Sequence, residues 1–185
     1  MATTANVYSA MPKASGAVLR APLGTPGPSG ATDLPNSAFV DCGYVGEGGF
    51  TESNTRENEK KKSFGGSTVK VLQKNYTATV KFAFLESTNA DVLKAVFGDT
   101  NVVPDAKTGD LTVKKNKKVL PHNAWIIDTV DESVGAIRTF IPNGQITAVD
   151  DIIKVHSDVI QYTVTMECFE DSSGNNIYEY IHKNS

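Results

Sequence analysis

The chain has 185 residues, a formal net charge of -3 and 39% hydrophobic residues, which suits one domain with a real core. The slight acidity argues against a dedicated sequence-reading DNA binder, which carries a strongly basic face. No run of about 18 apolar residues occurs, which argues against a membrane-spanning helix, and Met1–Asn6 lacks the basic start and apolar stretch of a signal peptide, so synthesis and retention in the cytoplasm are expected.

Residues 1–36 are expected to form an arm. Small and polar residues dominate it, and Pro12, Pro22, Pro26, Pro28 and Pro35 interrupt any regular element. One short β-like piece, Gly16–Pro22, lies within it. Few charges distinguish this arm from a solvated tail, leaving two readings: docking on a neighbouring copy, or a frayed terminus.

Residues 37–185 are expected to form a single domain. Its first core strand spans Ala38–Val45 and is bent or ended by Gly43, Gly46, Gly48 and Gly49. The stretch Thr51–Ser63, TESNTRENEKKKS, mixes both charge signs and has no apolar periodicity. It is expected to be a long loop, either functional or simply solvated.

Val69 and Val71 begin the next strand. Tyr76, Ala78, Val80, Phe82 and Phe84 then alternate with polar residues, the period of a strand with one buried face. A single helix is expected over about Asn89–Phe97, capped by Thr88 with Asp91 three residues on. Val92 with Val96, and Leu93 with Phe97, share one side of it, and Gly98 ends it. Leu120–Val130, Gly135–Ile141, Ile146–His156 and Ile177–His182 are further strand candidates. Asn143–Gly144 and Ser173–Asn176 are predicted hairpin turns. In Ile160–Cys168 the apolar Ile160, Tyr162, Val164, Met166 and Cys168 alternate with Gln161, Thr163, Thr165 and Glu167, so one side can face water. The fold class is therefore mainly β with one flanking α-helix.

Residue patterns for chemistry are absent. His122, His156 and His182 are scattered, and no zinc motif, phosphate-binding loop or nucleophile elbow occurs. Cys42 and Cys168 read as buried free thiols. Asp150–Asp151 reads as a solvated pair, and Lys114–Lys118 as a charged hairpin tip rather than a nucleic-acid patch. No cofactor, metal or catalytic residue is assigned.

The order Gly16-Ala17-Val18-Leu19-Arg20-Ala21-Pro22-Leu23-Gly24-Thr25, then Ala38–Val45, then Gly49-Phe50-Thr51, resembles the major tail protein, or tail tube protein, of long flexible-tailed bacteriophages. Phe84–Asn89 running into Val92–Gly98 adds to the resemblance, which covers most of residues 16–182. The pattern departs at Ser63-Phe64-Gly65-Gly66, where a tryptophan-containing version is expected.

This resemblance implies a β-sandwich or partial barrel. It implies rings, of six subunits, stacked into a hollow tube for viral DNA, assembled in the host cytoplasm. The implied partners are the chain itself, a tape measure protein, and terminator and tip proteins. DNA would pass without tight binding, and no membrane insertion is implied. The arm and the 51–63 loop then become linkers between subunits and rings, through Val18, Leu19, Glu52, Arg56, Glu57, Glu59, Lys60 and Lys61. Gln161, Thr163, Thr165 and Glu167 are expected to face the lumen. The alternatives are a β-sandwich binding module, or a related secretion-tube or tail-terminus protein.

Overall fold

The alternation at Tyr76–Phe84 and Ile160–Cys168 becomes two adjacent antiparallel strands in the computed structural model, which describes residues 2–13 and 16–184. The strands are β1 (Met11–Pro12), β2 (Val18–Pro22), β3 (Val40–Asp41), β4 (Thr51–Lys62) and β5 (Thr68–Phe84). The helix α1 (Ala90–Phe97) follows, then β6 (Val102–Pro104), β7 (Leu111–Val113), β8 (Asn123–Asp131), β9 (Gly135–Val149), β10 (Tyr162–Cys168) and β11 (Tyr178–Lys183). The main sheet runs β3-β2-β8-β9-β10-β5-β4, with β1 added to β8 and β11 to β9. The expected class, mainly β with one helix, is what forms among the described residues.

Strand β9 shapes the sheet. Its first half pairs with β8 on one edge and β11 on the other, and its second half pairs with β10. The sheet then closes on itself. Cys42 donates its backbone N–H to Val18, Leu85 to Tyr44, and Gly46 to Ala83, so residues 42–46 bridge β2 to β5 and complete a partial barrel. Its interior holds Val18, Cys42, Phe84, Trp125, Val164 and Met166, all fully buried. Helix α1 adds Val92, Leu93 and Val96 to this core, with Phe97 half-buried.

Several expectations are corrected. The 51–63 stretch is no loop: Thr51–Lys62 is a 12-residue strand paired along its length with β5. It stands off the core, so neither side needs apolar residues. Asn143–Gly144 makes no turn, because β9 runs straight through it. Gly144 is needed for space: a Cβ there would lie 2.7 Å from the Met166 sulfur and 2.8 Å from the Trp125 ring. The Ser173–Asn176 turn exists, but β10 and β11 lie along the same edge of β9 rather than pairing with each other. Asn89 caps α1 in place of Thr88, its side chain accepting from the Asp91 N–H at 2.9 Å. Lys114–Lys118 follows β7 as irregular chain and is not a hairpin tip.

Candidate assembly surfaces

The arm has a partner within its own chain. Val18 is fully buried in the chain's own barrel and β2 pairs with β8, which corrects Val18 as a contact with a neighbour. Leu19 is half-buried beside Ala124 and Ile126. Earlier in the arm, the Tyr8 hydroxyl donates to Thr129 Oγ1 at 3.1 Å, and the Ser9 N–H donates to Asp131 Oδ2 at 2.8 Å. Hydrogen bonds from Ser133 and Ser9 hold the Asp131 carboxyl below its ordinary pKa.

Arg138 fixes the later part of the arm. It is directly opposite Asp128 across β8 and β9. Its Nε and Nη2 donate to the two Asp128 oxygens at 2.6 and 2.7 Å, and its Nη1 donates to the carbonyls of Asp33 at 2.6 Å and Gly30 at 3.3 Å. The guanidinium is 0% exposed, so a planar five-donor group holds an acid and a crossing backbone at once. Nearby, Gly27 lies against Phe140, leaving no space for a Cβ.

The β4–β5 hairpin has the opposite character. Every residue of β4 is exposed except the half-buried Glu59. The turn closes with Ser63 N–H donating to Ser67 and Gly66 N–H to Ser63, and Gly66 takes a φ of +85° that suits glycine. Phe64 at the apex is 112% exposed, and Val69 and Val71 are 67% and 54% exposed. Cross-strand contacts hold the hairpin shape without a core. Glu59 pairs with Lys61 and with Lys74, which together hold its carboxyl below its ordinary pKa. The Tyr76 hydroxyl donates to Asn54 at 2.6 Å, and the Arg56 guanidinium lies 4.7 Å over the Tyr76 ring. Glu52, Arg56, Glu57, Glu59, Lys60 and Lys61 thus come together on one strand. The sequence reading missed Phe64, Val69 and Val71 as exposed apolar groups, although the run Phe64-Gly65-Gly66 between two charged stretches is a turn signal.

A third surface lies on the polar side of β10. Thr163, Thr165 and Glu167 share it with Ala83, Lys81 and Thr79 of β5, their direct partners, and through these with Thr51 and Ser53 of β4. All three are half-buried, while Gln161 just before the strand is exposed. Lys81 pairs with Asp150 at 2.8 Å. The result is a hydroxyl-rich face with little net charge. Strand β4 ends the sheet on this side, leaving its outer edge without a strand partner among the described residues.

Among the described residues, no group of three or more His, Cys, Asp or Glu could hold a metal ion. No described helix is long and apolar enough to cross a membrane. Both cysteines are free and buried, and burial raises each thiol pKa to about 12.

A family model described as phage tail tube protein matches residues 3–185. A comparison with curated proteins finds no match. Among solved structures, the chain is similar to the tail of an empty gene transfer agent particle refined with C6 symmetry, at 14% identity and a TM-score of 0.43, covering 85% of this chain and 93% of that one. It is also similar to the tube-terminating cap of the anti-feeding prophage, at 8% identity and a TM-score of 0.48, covering 98% and 100%. The sheath-tube complex of an extracellular contractile injection system is similar at 6% identity and a TM-score of 0.47, covering 97% and 96%.

Proposed function

The chain belongs to the phage tail tube protein family, a structural and not an enzymatic family, and from that premise we propose that six copies form a ring and that rings stack into the hollow tail tube of a long flexible-tailed phage. DNA passes through the bore to the host. A tape measure protein occupies the growing tube, terminator and tip proteins close its ends, and assembly takes place in the host cytoplasm.

The observation that carries this reading is the β4–β5 hairpin. A monomer has no reason to hold Phe64, Val69 and Val71 in water on a structured projection. Subunit contacts give those side chains an apolar environment. The unpaired outer edge of β4 adds backbone donors and acceptors that a neighbour can satisfy. The near-neutral face of Thr163, Thr165 and Glu167 suits a bore, because a wall of Lys and Arg would add phosphate contacts and hold the DNA.

The test is assembly of the purified chain. Negative-stain electron microscopy at high concentration is expected to show rings or tubes. Sedimentation that finds only monomer, with and without tail components added as seeds, overturns the reading.

A further inference from the structure

A groove lies against the partial barrel, and no residue of α1 lines it. Its volume is about 580 Å³, and its lining includes Phe50, Val80, Ile127 and Ile137. Glu47, Glu52 and Glu179 stand around it, all exposed, and no Lys or Arg belongs to the lining. None of these three carboxylates makes an ion pair among the described residues. The mouth is therefore apolar inside and acidic around the rim.

The hairpin apex has the complementary make-up. Residues 60–70, KKKSFGGSTVK, contain four lysines and no carboxylate. Lys61 is held by Glu59, but Lys60, Lys62 and Lys70 make no ion pair among the described residues. They lie on the two strands that lead into and out of the turn carrying Phe64, whose ring is wholly exposed. An exposed aromatic side chain on a turn flanked by three unmatched cations is the complement of an apolar groove with three unmatched anions in its lining. The two cannot meet within one chain: β4 leads from Glu52 at the groove to Lys62 at the apex, and ten residues of strand span about 33 Å.

We propose that the hairpin apex of one copy docks in this groove of the next, with Phe64 inserted between Ile127 and Ile137 and the lysines set against Glu47, Glu52 and Glu179. The occupant is a second copy because the charge pattern of the groove is matched by the chain's own apex. Apex and groove are different surfaces, so the contact is head-to-tail and propagates instead of closing as a two-fold dimer. Each copy is then displaced from the last by about the 33 Å reach of the strand. This inference rests on the tube-subunit reading and specifies the contact along the tube.

The test uses two full-length variants. One carries Lys60→Glu, Lys62→Glu and Lys70→Glu. The other carries Glu47→Lys, Glu52→Lys and Glu179→Lys. Each alone places like charges at every apex–groove contact and is expected to stop at short species. Mixed, they match in alternation and are expected to recover long tubes, a rescue that misfolding cannot mimic. The exposed apex also permits Phe64→Ala without harm to the core, and this change is expected to raise the concentration needed for growth roughly tenfold or more. Long tubes from either reversed variant alone, no rescue on mixing, or unchanged growth of Phe64→Ala while the unaltered chain makes tubes overturns the docking contact and leaves the tube reading standing. Failure of the unaltered chain to assemble overturns both.

Discussion

Arg138 has no exposed surface and makes four charge-assisted contacts, two to Asp128 and two to the crossing arm. Among the described residues, Arg138→Ala leaves the buried Asp128 only Lys13, 3.6 Å away, to offset its charge. Breaking a buried pair costs about 3–5 kcal/mol, so a loss of that size in denaturant unfolding is expected. Limited proteolysis should cut the variant near Gly30–Asp33, where the arm loses its anchor. The residue was not legible in the sequence. A lone arginine in an alternating strand reads as solvent-facing, its acid partner is ten positions away, and its arm partners lie more than a hundred positions away. The cysteines were legible because a small apolar-behaving side chain belongs inside. Burial raises both thiols from 9.0 to about 12. The folded state then favours the protonated form, so these thiols stabilise the fold below pH 9 and that contribution is lost as pH rises toward 12. Alkylation at pH 8 is expected to modify neither cysteine in the native protein and both after unfolding. Rapid native labelling, counted by mass spectrometry, would contradict this.

At the scale of elements, helix α1 shows how a local pattern becomes packing. Val92 and Leu93 on its first turn and Val96 one turn on are buried against the barrel, while Asp91 and Lys94 pair on the outside. Leu93 is 5% exposed, so Leu93→Ala is expected to cost about 2–5 kcal/mol, read as a shift in thermal or denaturant unfolding. An unchanged melt would mean the helix face is held from elsewhere. The helix and the strands β5 and β10 were legible because one side of each is buried and imposes a period. Strand β4 was not, because no core constrains it. Its stability comes from cross-strand pairs such as Tyr76 with Asn54 and Lys74 with Glu59, and these join residues whose register no local pattern reveals. Strand β9 failed in the other way. Asn143–Gly144 has the composition of a turn, yet Trp125 and Met166 require its bare backbone.

For the whole molecule, the barrel was legible as a class and through family resemblance. Its closure was not, since residues 42–46 join β2 to β5 by single bonds and not by a patterned strand. The faces that remain after closure decide how copies can be used. The β10 face meets solvent as Thr163, Thr165 and Glu167, beside Thr79 and Lys81. If it lines the bore as proposed, each ring presents one Glu167 per subunit to the passing duplex, and its field decays over a Debye length of about 8 Å at physiological salt. Lys81 is engaged with Asp150, so Glu167 sets the sign of the field. Glu167→Lys changes that sign in every layer. Glu167 is half-buried on a polar strand face, so folding and tube formation are expected to survive. DNA transit is expected to slow, because each lysine adds a phosphate contact and displaces counterions, and raising the salt should restore it, the affinity falling steeply with salt. The decisive measurement is DNA release from particles carrying the variant, timed at low and high salt. Release at the unaltered rate, at both salt concentrations, would place Glu167 away from the bore.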